Sequence, residues 1–317
     1  MSTRGLRNTD CANEIGASDS GGIDPGPAIV VGVDGSSAAM HAAEWAATEA
    51  AARQVPLRLI HFVAPVDKPA FRPGGTRFRQ ARDLLETARK MVLGKVPEPD
   101  RLEVQTAVLR GHADTALLEM SESAALIVVG TSGAGFLTRV VLGSTALALV
   151  RNAHCPVAIV RRPGIATGPV LAPVIGWPAA APILMAGMRA AALRHTELLV
   201  VRIWQGRPWA APPGHYVAPS GVTDAQIAQC RRTHPDVEVR SVTVAGNPAE
   251  AIERFSAAAQ LVVIGTADHR YGGGATAALA HELVRHCDCP VLVLPAETAV
   301  STGHGGRSHA VSASARP

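Results

Sequence analysis

A long internal repeat restricts the possible folds of this chain more than any other feature. Residues 111–131 (GHADTALLEMSESAALIVVGT) match residues 246–266 (GNPAEAIERFSAAAQLVVIGT) at an offset of 135. After a one-residue deletion, Leu-Val-Arg at 149–151 and Cys-Pro-Val at 155–157 recur at 283–285 and 289–291. A repeat of this period indicates two tandem domains rather than a solenoid of short units.

The repeat sets the expected domain boundaries. We predict a first domain at 28–162, a linker at 163–169 rich in Gly and Pro, and a second domain at 170–295. A chain of 317 residues is long enough for two such domains. Residues 1–27 and 296–317 are polar and aperiodic, so we expect them to form disordered tails.

Strand-like and helix-like segments alternate along the first domain. Short runs rich in branched residues predict buried parallel strands, and longer segments between them have the spacing of helices. The predicted strands are residues 29–33, 57–63, 102–109, 126–129 and 157–160, and the predicted helices are residues 38–53, 77–94, 113–123 and 143–152. Strict alternation predicts right-handed crossovers and a doubly wound parallel sheet, so the fold class is α/β.

Composition and charge exclude several classes of function. The net charge of +4 comes from 30 basic and 26 acidic residues spread along the chain, which argues against DNA or RNA binding. No uninterrupted apolar stretch of about 18 residues exists, so we expect no membrane association. Five cysteines are an odd number and few for a chain of this length, so we interpret them as reduced thiols rather than a disulfide framework and expect a cytoplasmic protein.

A glycine-rich segment after the fourth predicted strand indicates an anion site. Gly130-Thr-Ser-Gly133 follows the buried run, and Gly143-Ser144-Thr145 then opens a helix. Glycines at a strand end let several amides point to one place, and a helix start adds unpaired N–H groups and a favourable dipole. We expect phosphate to bind here, with Ser144 and Thr145 as donors and Arg139 able to reach a terminal phosphate.

The first strand contributes an acidic residue at the same edge of the sheet. Asp34 follows residues 29–33, and ligands of open α/β sheets lie across the carboxyl ends of the strands at the topological switch. A carboxylate there suits the sugar or base of a nucleotide, and Ser36 or Ser37 can cap the next helix. Phosphate on one wall and a carboxylate on the other predict a mononucleotide site.

These motifs resemble the universal stress protein family in its ATP-binding branch. The resemblance rests on the spacing Gly130-x2-Gly133-x9-Gly143-Ser144, on Val-Val-Gly-Val-Asp-Gly-Ser at 30–36 and on Cys-Pro-Val at 155–157. It implies two tandem Rossmann-like domains of the HUP (adenine nucleotide alpha hydrolase-like) type, each with a five-stranded parallel sheet. It also implies ATP with a divalent cation, Mg²⁺, between strands one and four, and pairing of the fifth strands between domains. A homodimer through paired fifth strands is expected on the same grounds.

The resemblance also assigns binding roles to individual residues. It implies that Asp34 and Val63 contact the adenosine end of the nucleotide. It further implies that Gly130, Gly133, Gly143, Ser144 and Thr145 surround the ribose and phosphates. We expect no catalytic residue and no protein ligand for a metal ion.

The second half departs from this pattern at each chemical position. Asp268 stands where the second glycine belongs, Ala277-Ala278 replaces Gly-Ser, and Ile-Gly-Trp-Pro at 175–178 offers no acid in place of Asp34. A carboxylate beside a triphosphate repels it, so we expect a degenerate site that binds no ATP. We interpret His281, His286, Cys287 and Cys289 as core and surface residues rather than as ligands of zinc or copper.

Three functions remain open from the residues. The first is a nucleotide-binding regulator of the stress response, with ATP in the first domain. The second is a nucleotide-independent scaffold or chaperone-like interaction protein. The third is a slow ATPase, because no catalytic motif is present and His61 and His112 are the only nearby candidates besides Asp34.

Overall fold

A computed structural model of the protein describes most of the two predicted domains. The described residues are 27–63, 75–131, 143–161, 167–174, 180–204, 220–265, 282–283, 287 and 289–295.

The first domain alternates strands with helices, as the sequence predicts. Its five parallel strands have the order β3-β2-β1-β4-β5, with β1 at the centre. In chain order the elements are β1 (Ile29–Gly32), α1 (Ser37–Arg53), β2 (Leu57–Val63), α2 (Thr76–Leu93), β3 (Val104–Arg110), α3 (Ala113–Met120), β4 (Leu126–Gly130), α4 (Ser144–Asn152) and β5 (Val157–Val160). Pro99–Arg101 form a short 3₁₀ turn. β3 therefore begins at Val104, two residues after the predicted start at residue 102.

The second domain repeats this arrangement. Its strands have the order β10-β9-β6-β7-β8, all parallel to one another. Its described elements are β6 (Val170–Val174), α5 (Ala180–Leu193), β7 (Leu198–Trp204), α6 (Ser220–Thr233), β8 (Val239–Ala245), α7 (Pro248–Ser256), β9 (Leu261–Gly265) and β10 (Val291–Leu294).

The two five-stranded sheets join into one sheet of ten strands. β5 and β10 run antiparallel, with Ala158 opposite Leu292, so the fifth strands pair between domains within a single chain. This confirms the expected α/β fold and makes the chain a pseudo-dimer. Because β5 lies between β4 and β10, and β10 between β5 and β9, neither has a free edge. A homodimer of two such chains therefore cannot form through these strands and would need another surface.

Each face of the sheet carries its own apolar core. One core contains side chains from α1, α2, α5 and α6, such as Ala46, Leu85, Leu184 and Ile227. The other contains side chains from α3, α4 and α7, such as Leu117, Leu149 and Ile252. Helices therefore cover both faces, which explains why the inner strands β1, β4 and β9 are apolar throughout, whereas the edge strands β3 and β8 contain polar residues.

Strand register gives the correspondence between the two domains in their first halves. Ile29 pairs with Leu57, and Val170 pairs with Leu198, so equivalent residues there lie 141 positions apart. The ends of α1 and α5 agree, because Gln54 and His195 both adopt a left-handed conformation, with φ of 55° and 50°. Val55 and Thr196 donate hydrogen bonds to Ala50 and Ala191 in the same way.

No described helix combines the length and apolar character needed to cross a membrane. Four cysteines, Cys155, Cys230, Cys287 and Cys289, lie in described segments; all are buried and none forms a disulfide.

Candidate functional site

The candidate site lies where the connections from two neighbouring strands diverge. β1 and β4 are adjacent, with Val31 opposite Val128. β1 leads into α1 on one face of the sheet, and β4 leads toward α4 on the other face. This is the topological switch point at which open α/β sheets form a crevice. Among the described residues predicted from the sequence, Asp34 follows β1, Gly130 ends β4, and Gly143, Ser144 and Thr145 lie at the start of α4.

Asp34 stands at the β1 side of the crevice and is exposed to solvent. One oxygen of its carboxylate accepts a hydrogen bond from the Ser36 amide at 2.9 Å. Gly35 between them has φ of 88°, a left-handed conformation that favours glycine. The turn therefore holds the carboxylate in a defined position while leaving it accessible to a ligand.

The two helices that begin at this edge differ in how their first turns are capped. Ser36 caps α1, because its hydroxyl oxygen accepts a hydrogen bond from the Ala39 amide at 3.2 Å. α4 begins after Gly143, which has no side chain and makes no such cap. No described side chain therefore caps the first amides of α4, and these amides can bind an external acceptor.

Ser144 and Thr145 form the first turn of α4. Ser144 is exposed and Thr145 is half-buried, and neither hydroxyl has a hydrogen-bond partner among the described residues. Leu149 and Val150 of the same helix are buried in the core, which holds the helix in place. The helix start can thus offer both amides and hydroxyls to an anion.

Gly130 ends β4 against the first turn of α1. A β-carbon at this position would lie 2.6 Å from the carbonyl carbon of Ala38 and 2.7 Å from the amide nitrogen of Ala39. Only glycine permits this approach, so packing alone already requires it. Gly133 and Arg139 lie outside the described residues.

Val63, at the end of β2, turns its peptide group away from β1. Its carbonyl accepts a hydrogen bond from Gly111 at 3.0 Å, on the side of β3. Because successive peptide groups of a strand point to opposite sides, the peptide group of Phe62 points toward β1. Phe62 was not among the residues predicted from the sequence, where nothing distinguished it from its neighbour.

His61 connects β2 to the end of β1. Its Nδ1 lies 2.7 Å from the carbonyl oxygen of Val33. Since a carbonyl oxygen only accepts, Nδ1 carries the hydrogen and Nε2 is left for another partner. The sequence indicated His61 only as a residue able to approach the site; the structure places it against the residue that precedes Asp34.

The equivalent edge of the second domain carries different chemistry. Arg202, opposite Val174, occupies the position that corresponds to His61, and its guanidinium contacts Asp224 of α6 at 2.6 Å. Gly265 ends β9 as Gly130 ends β4, and among the described residues a β-carbon there would meet the Ile183 side chain, at 3.3 Å. The predicted changes at 175–178, Asp268 and Ala277-Ala278 lie outside the described residues.

Other candidate sites have less support. A cavity of about 420 Å³ lies at the opposite edge of the sheet, beside the starts of β2 and β3, and its lining includes Glu98 and Glu103. Arg101 also lines this cavity and pairs with Glu98, with Nη1 at 2.8 Å from Oε2, so the negative charge of Glu103 is left to disfavour a phosphate. In the described parts of the chain, no group of three or more His, Cys, Asp or Glu is placed to hold a metal ion. Cys287 and Cys289 are buried, and His281 and His286 fall outside the described residues.

Comparisons with known proteins agree with this architecture. The sequence model of the Universal stress protein family matches residues 27–161 and 167–295. A universal stress protein of Mycobacterium bovis is 32% identical over 262 residues, covering 77% of this chain and 88% of that protein. One of Mycobacterium tuberculosis is 30% identical over 276 residues, covering 84% of this chain and 95% of that protein.

The fold is also found in a solved structure. The crystal structure of a universal stress protein from Archaeoglobus fulgidus superimposes with a TM-score of 0.65 at 16% identity, covering 84% of this chain and 98% of that one. The similarity thus extends across both domains in sequence and in fold, and the chain belongs to the universal stress protein family.

Proposed function

We propose that the first domain binds an adenine nucleotide, ATP with Mg²⁺, in the crevice between β1 and β4. The observation that carries the proposal is the uncapped start of α4, facing the same edge of the sheet as the exposed carboxylate of Asp34. The phosphates would bind the α4 amides, Ser144 and Thr145, because α4 has no side-chain cap, whereas Ser36 already binds the Ala39 amide of α1. Gly133 and Gly143 would border the phosphates, as the family resemblance implies.

The adenosine end would lie on the β2 side. Asp34 can accept hydrogen bonds from ribose hydroxyls or a base amino group. Gly130, which has no side chain, would let the backbone at the end of β4 run close to the ribose and phosphates. We infer that the peptide of Phe62, rather than that of Val63, faces the base, because the Val63 carbonyl is already bonded to Gly111.

Mg²⁺ fits this arrangement as a companion of the phosphates. The described residues of the crevice provide a single carboxylate, Asp34, and Mg²⁺ often keeps several waters and binds mainly through phosphate oxygens. The protein would then recognise the complex through the phosphates and the adenosine.

The biological role would be regulation in a stress response. ATP occupancy of the first domain would change a surface that a partner reads, while the second domain, with its degenerate site, would hold the first in the pseudo-dimer. We expect the protein in the cytoplasm, consistent with its buried thiols. Two chains would associate through a surface other than β5 and β10.

Calorimetric titration of the purified full chain with ATP and Mg²⁺ tests the proposal. We expect one nucleotide per chain, and an affinity loss of about tenfold to a hundredfold for Asp34→Asn, which removes a charged acceptor. Asp100→Asn is the matched control, because Asp100 is an exposed carboxylate just before the start of β3, at the opposite edge of the sheet.

A second pair of variants tests the division between the domains. Gly143→Asp should abolish binding without unfolding the protein, since an acidic N-cap stabilises a helix but repels phosphate. Asp268→Ala should bind as the natural chain does. No binding at millimolar ATP would support a scaffold instead, and release of ADP at more than a few turnovers per minute would support an ATPase.

A further inference from the structure

The two central helices of the pseudo-dimer, α1 and α5, carry different residues at equivalent positions. Their C-terminal ends superimpose residue by residue at an offset of 141, as the shared left-handed residues Gln54 and His195 show. Arg53 and Arg194 are therefore equivalent. Glu49 corresponds to Ala190 and Trp45 to Ala186, so only α1 carries an acid and a large aromatic side chain.

Both arginines bind the same carboxylate of α1, that of Glu49. Arg53 reaches Glu49 within the same helix, with Nη2 at 2.8 Å from Oε2. Arg194, from the other domain, donates to Oε1 of the same Glu49. Only 5% of the Glu49 side chain and 12% of the Arg194 side chain are exposed, so water does not replace these contacts easily.

Arg194 has a second contact with the first domain. Its guanidinium lies over the ring of Trp45, 5.7 Å from the centroid, and its Nη1 also donates to the Ala190 carbonyl at 3.1 Å. On α5, Ala186 and Ala190 stand in place of Trp45 and Glu49, so α5 offers Arg53 neither a carboxylate nor an aromatic ring. The interdomain contact is thus made in one direction only, although the two domains are duplicates.

We propose that Glu49 and Trp45 form a binding site on the first domain for Arg194, which we call the socket. We further propose that this contact makes the second domain pair with a first domain rather than with another second domain. Two second domains paired in the same way would bring together two Arg194 side chains with no carboxylate. Buried like charges at such an interface disfavour that pairing. The interface therefore favours pairing of a first domain with a second domain over pairing of two second domains.

A double-mutant cycle in the full chain tests the socket. The variants are Glu49→Gln, Arg194→Met and the combination, with unfolding followed in denaturant by circular dichroism. We expect each single change to lower the apparent folding constant at least tenfold. We expect the combination to be milder than the product of the two, because removing Arg194 also removes its unpaired charge.

Two control variants separate the socket from a general loss of charge. Arg189→Met removes an exposed arginine from α5, and Glu44→Gln removes an α1 carboxylate that pairs with Lys95 at 3.4 Å. Both should change the folding constant less than twofold. If Glu49→Gln fails to fold, the comparison of Arg194→Met with Arg189→Met decides alone. Equal effects in that comparison, or strictly additive effects in the cycle, would overturn the proposal.

Discussion

Gly130 and Ala38 approach so closely that a β-carbon on residue 130 would lie 2.6 Å from the Ala38 carbonyl carbon. The neighbouring atoms belong to backbone, so they cannot rotate away as a side chain can. A glycine at the centre of the expected nucleotide motif thus has a packing role of its own. The same contact positions the start of α1, and with it the turn that carries Asp34 and Ser36.

Gly130→Ala should destabilise the first domain and weaken ATP binding together. Overpacking of this kind costs about 1–3 kcal/mol, and relief requires α1 to move. Urea unfolding and ATP titration on the same sample measure both effects. Gly265→Ala is the control and should be better tolerated, because the nearest described atoms belong to the Ile183 side chain, which can shift. Weakened binding with unchanged stability would mean that Gly130 serves the ligand directly.

His61→Leu should reduce both stability and nucleotide affinity. The substitution leaves the Val33 carbonyl without the ring hydrogen that it now accepts, at a cost of about 1–2 kcal/mol. The peptide before Asp34 then loses its anchor, so we expect a several-fold increase in the dissociation constant for ATP. His112→Leu provides the comparison, because His112 is exposed and makes no side-chain cap bond. An unchanged affinity in His61→Leu would show that the anchor does not position Asp34.

Alanine substitution should affect stability at one serine of the crevice and nucleotide affinity at the other. Ser36→Ala removes the cap of α1 and should cost about 1 kcal/mol of stability. Ser144→Ala removes an exposed hydroxyl with no described partner, so we expect unchanged stability and a weaker affinity for ATP. Thermal unfolding without nucleotide and titration with ATP separate the two effects. The assignment of phosphate to α4 would be wrong if Ser144→Ala bound ATP normally while Ser36→Ala, still folded, did not.

The buried thiol of Cys155 should make stability depend on alkaline pH. Burial raises the pKa of Cys155 from 9.0 to about 11. Below about pH 9 the thiol is protonated in both states and contributes nothing to the pH dependence. Between about pH 9 and 11 the unfolded state loses the proton first, so the free energy of unfolding falls by about 1.4 kcal/mol per pH unit.

Urea midpoints at pH 8 and pH 10.5 test this in the natural chain and in Cys155→Ala. Cys155→Ala loses some packing and is less stable at both pH values. Its free energy of unfolding should, however, decrease less between pH 8 and pH 10.5 than that of the natural chain. Parallel curves for the two proteins would contradict a buried thiol at this position.

The strands and the nucleotide motif could be read from the sequence because both are local. Apolar runs such as 57–63 and 157–160 match the strands of the fold, and Asp34 and Gly143 lie at element ends as predicted. The sequence could not show whether the peptide group of Val63 or that of Phe62 faces the nucleotide base, because this depends on which neighbouring strand each peptide group faces. That direction is set by pairing with β1 and β3.

The repeat shows the same limit. Sequence similarity gave the offset of 135 in the second halves of the domains, whereas only strand register revealed the offset of 141 in the first halves. The connection between the second and third strands of each domain differs in length, and the α1 and α5 segments have diverged. Sequence similarity therefore could not show that Arg53 and Arg194 occupy equivalent positions.

By itself, the sequence determined the tandem α/β architecture, the family and the residues at the ends of β1 and β4, since these follow from periodicity and short motifs. The family resemblance already implied that the fifth strands pair. Tertiary structure alone decided the antiparallel register of β5 and β10, that Gly130 must accommodate α1, and that Glu49 binds Arg194. These contacts join residues far apart in the chain. They depend on distances of a few ångströms and on which side of a strand or helix each group faces, and only the folded backbone sets those.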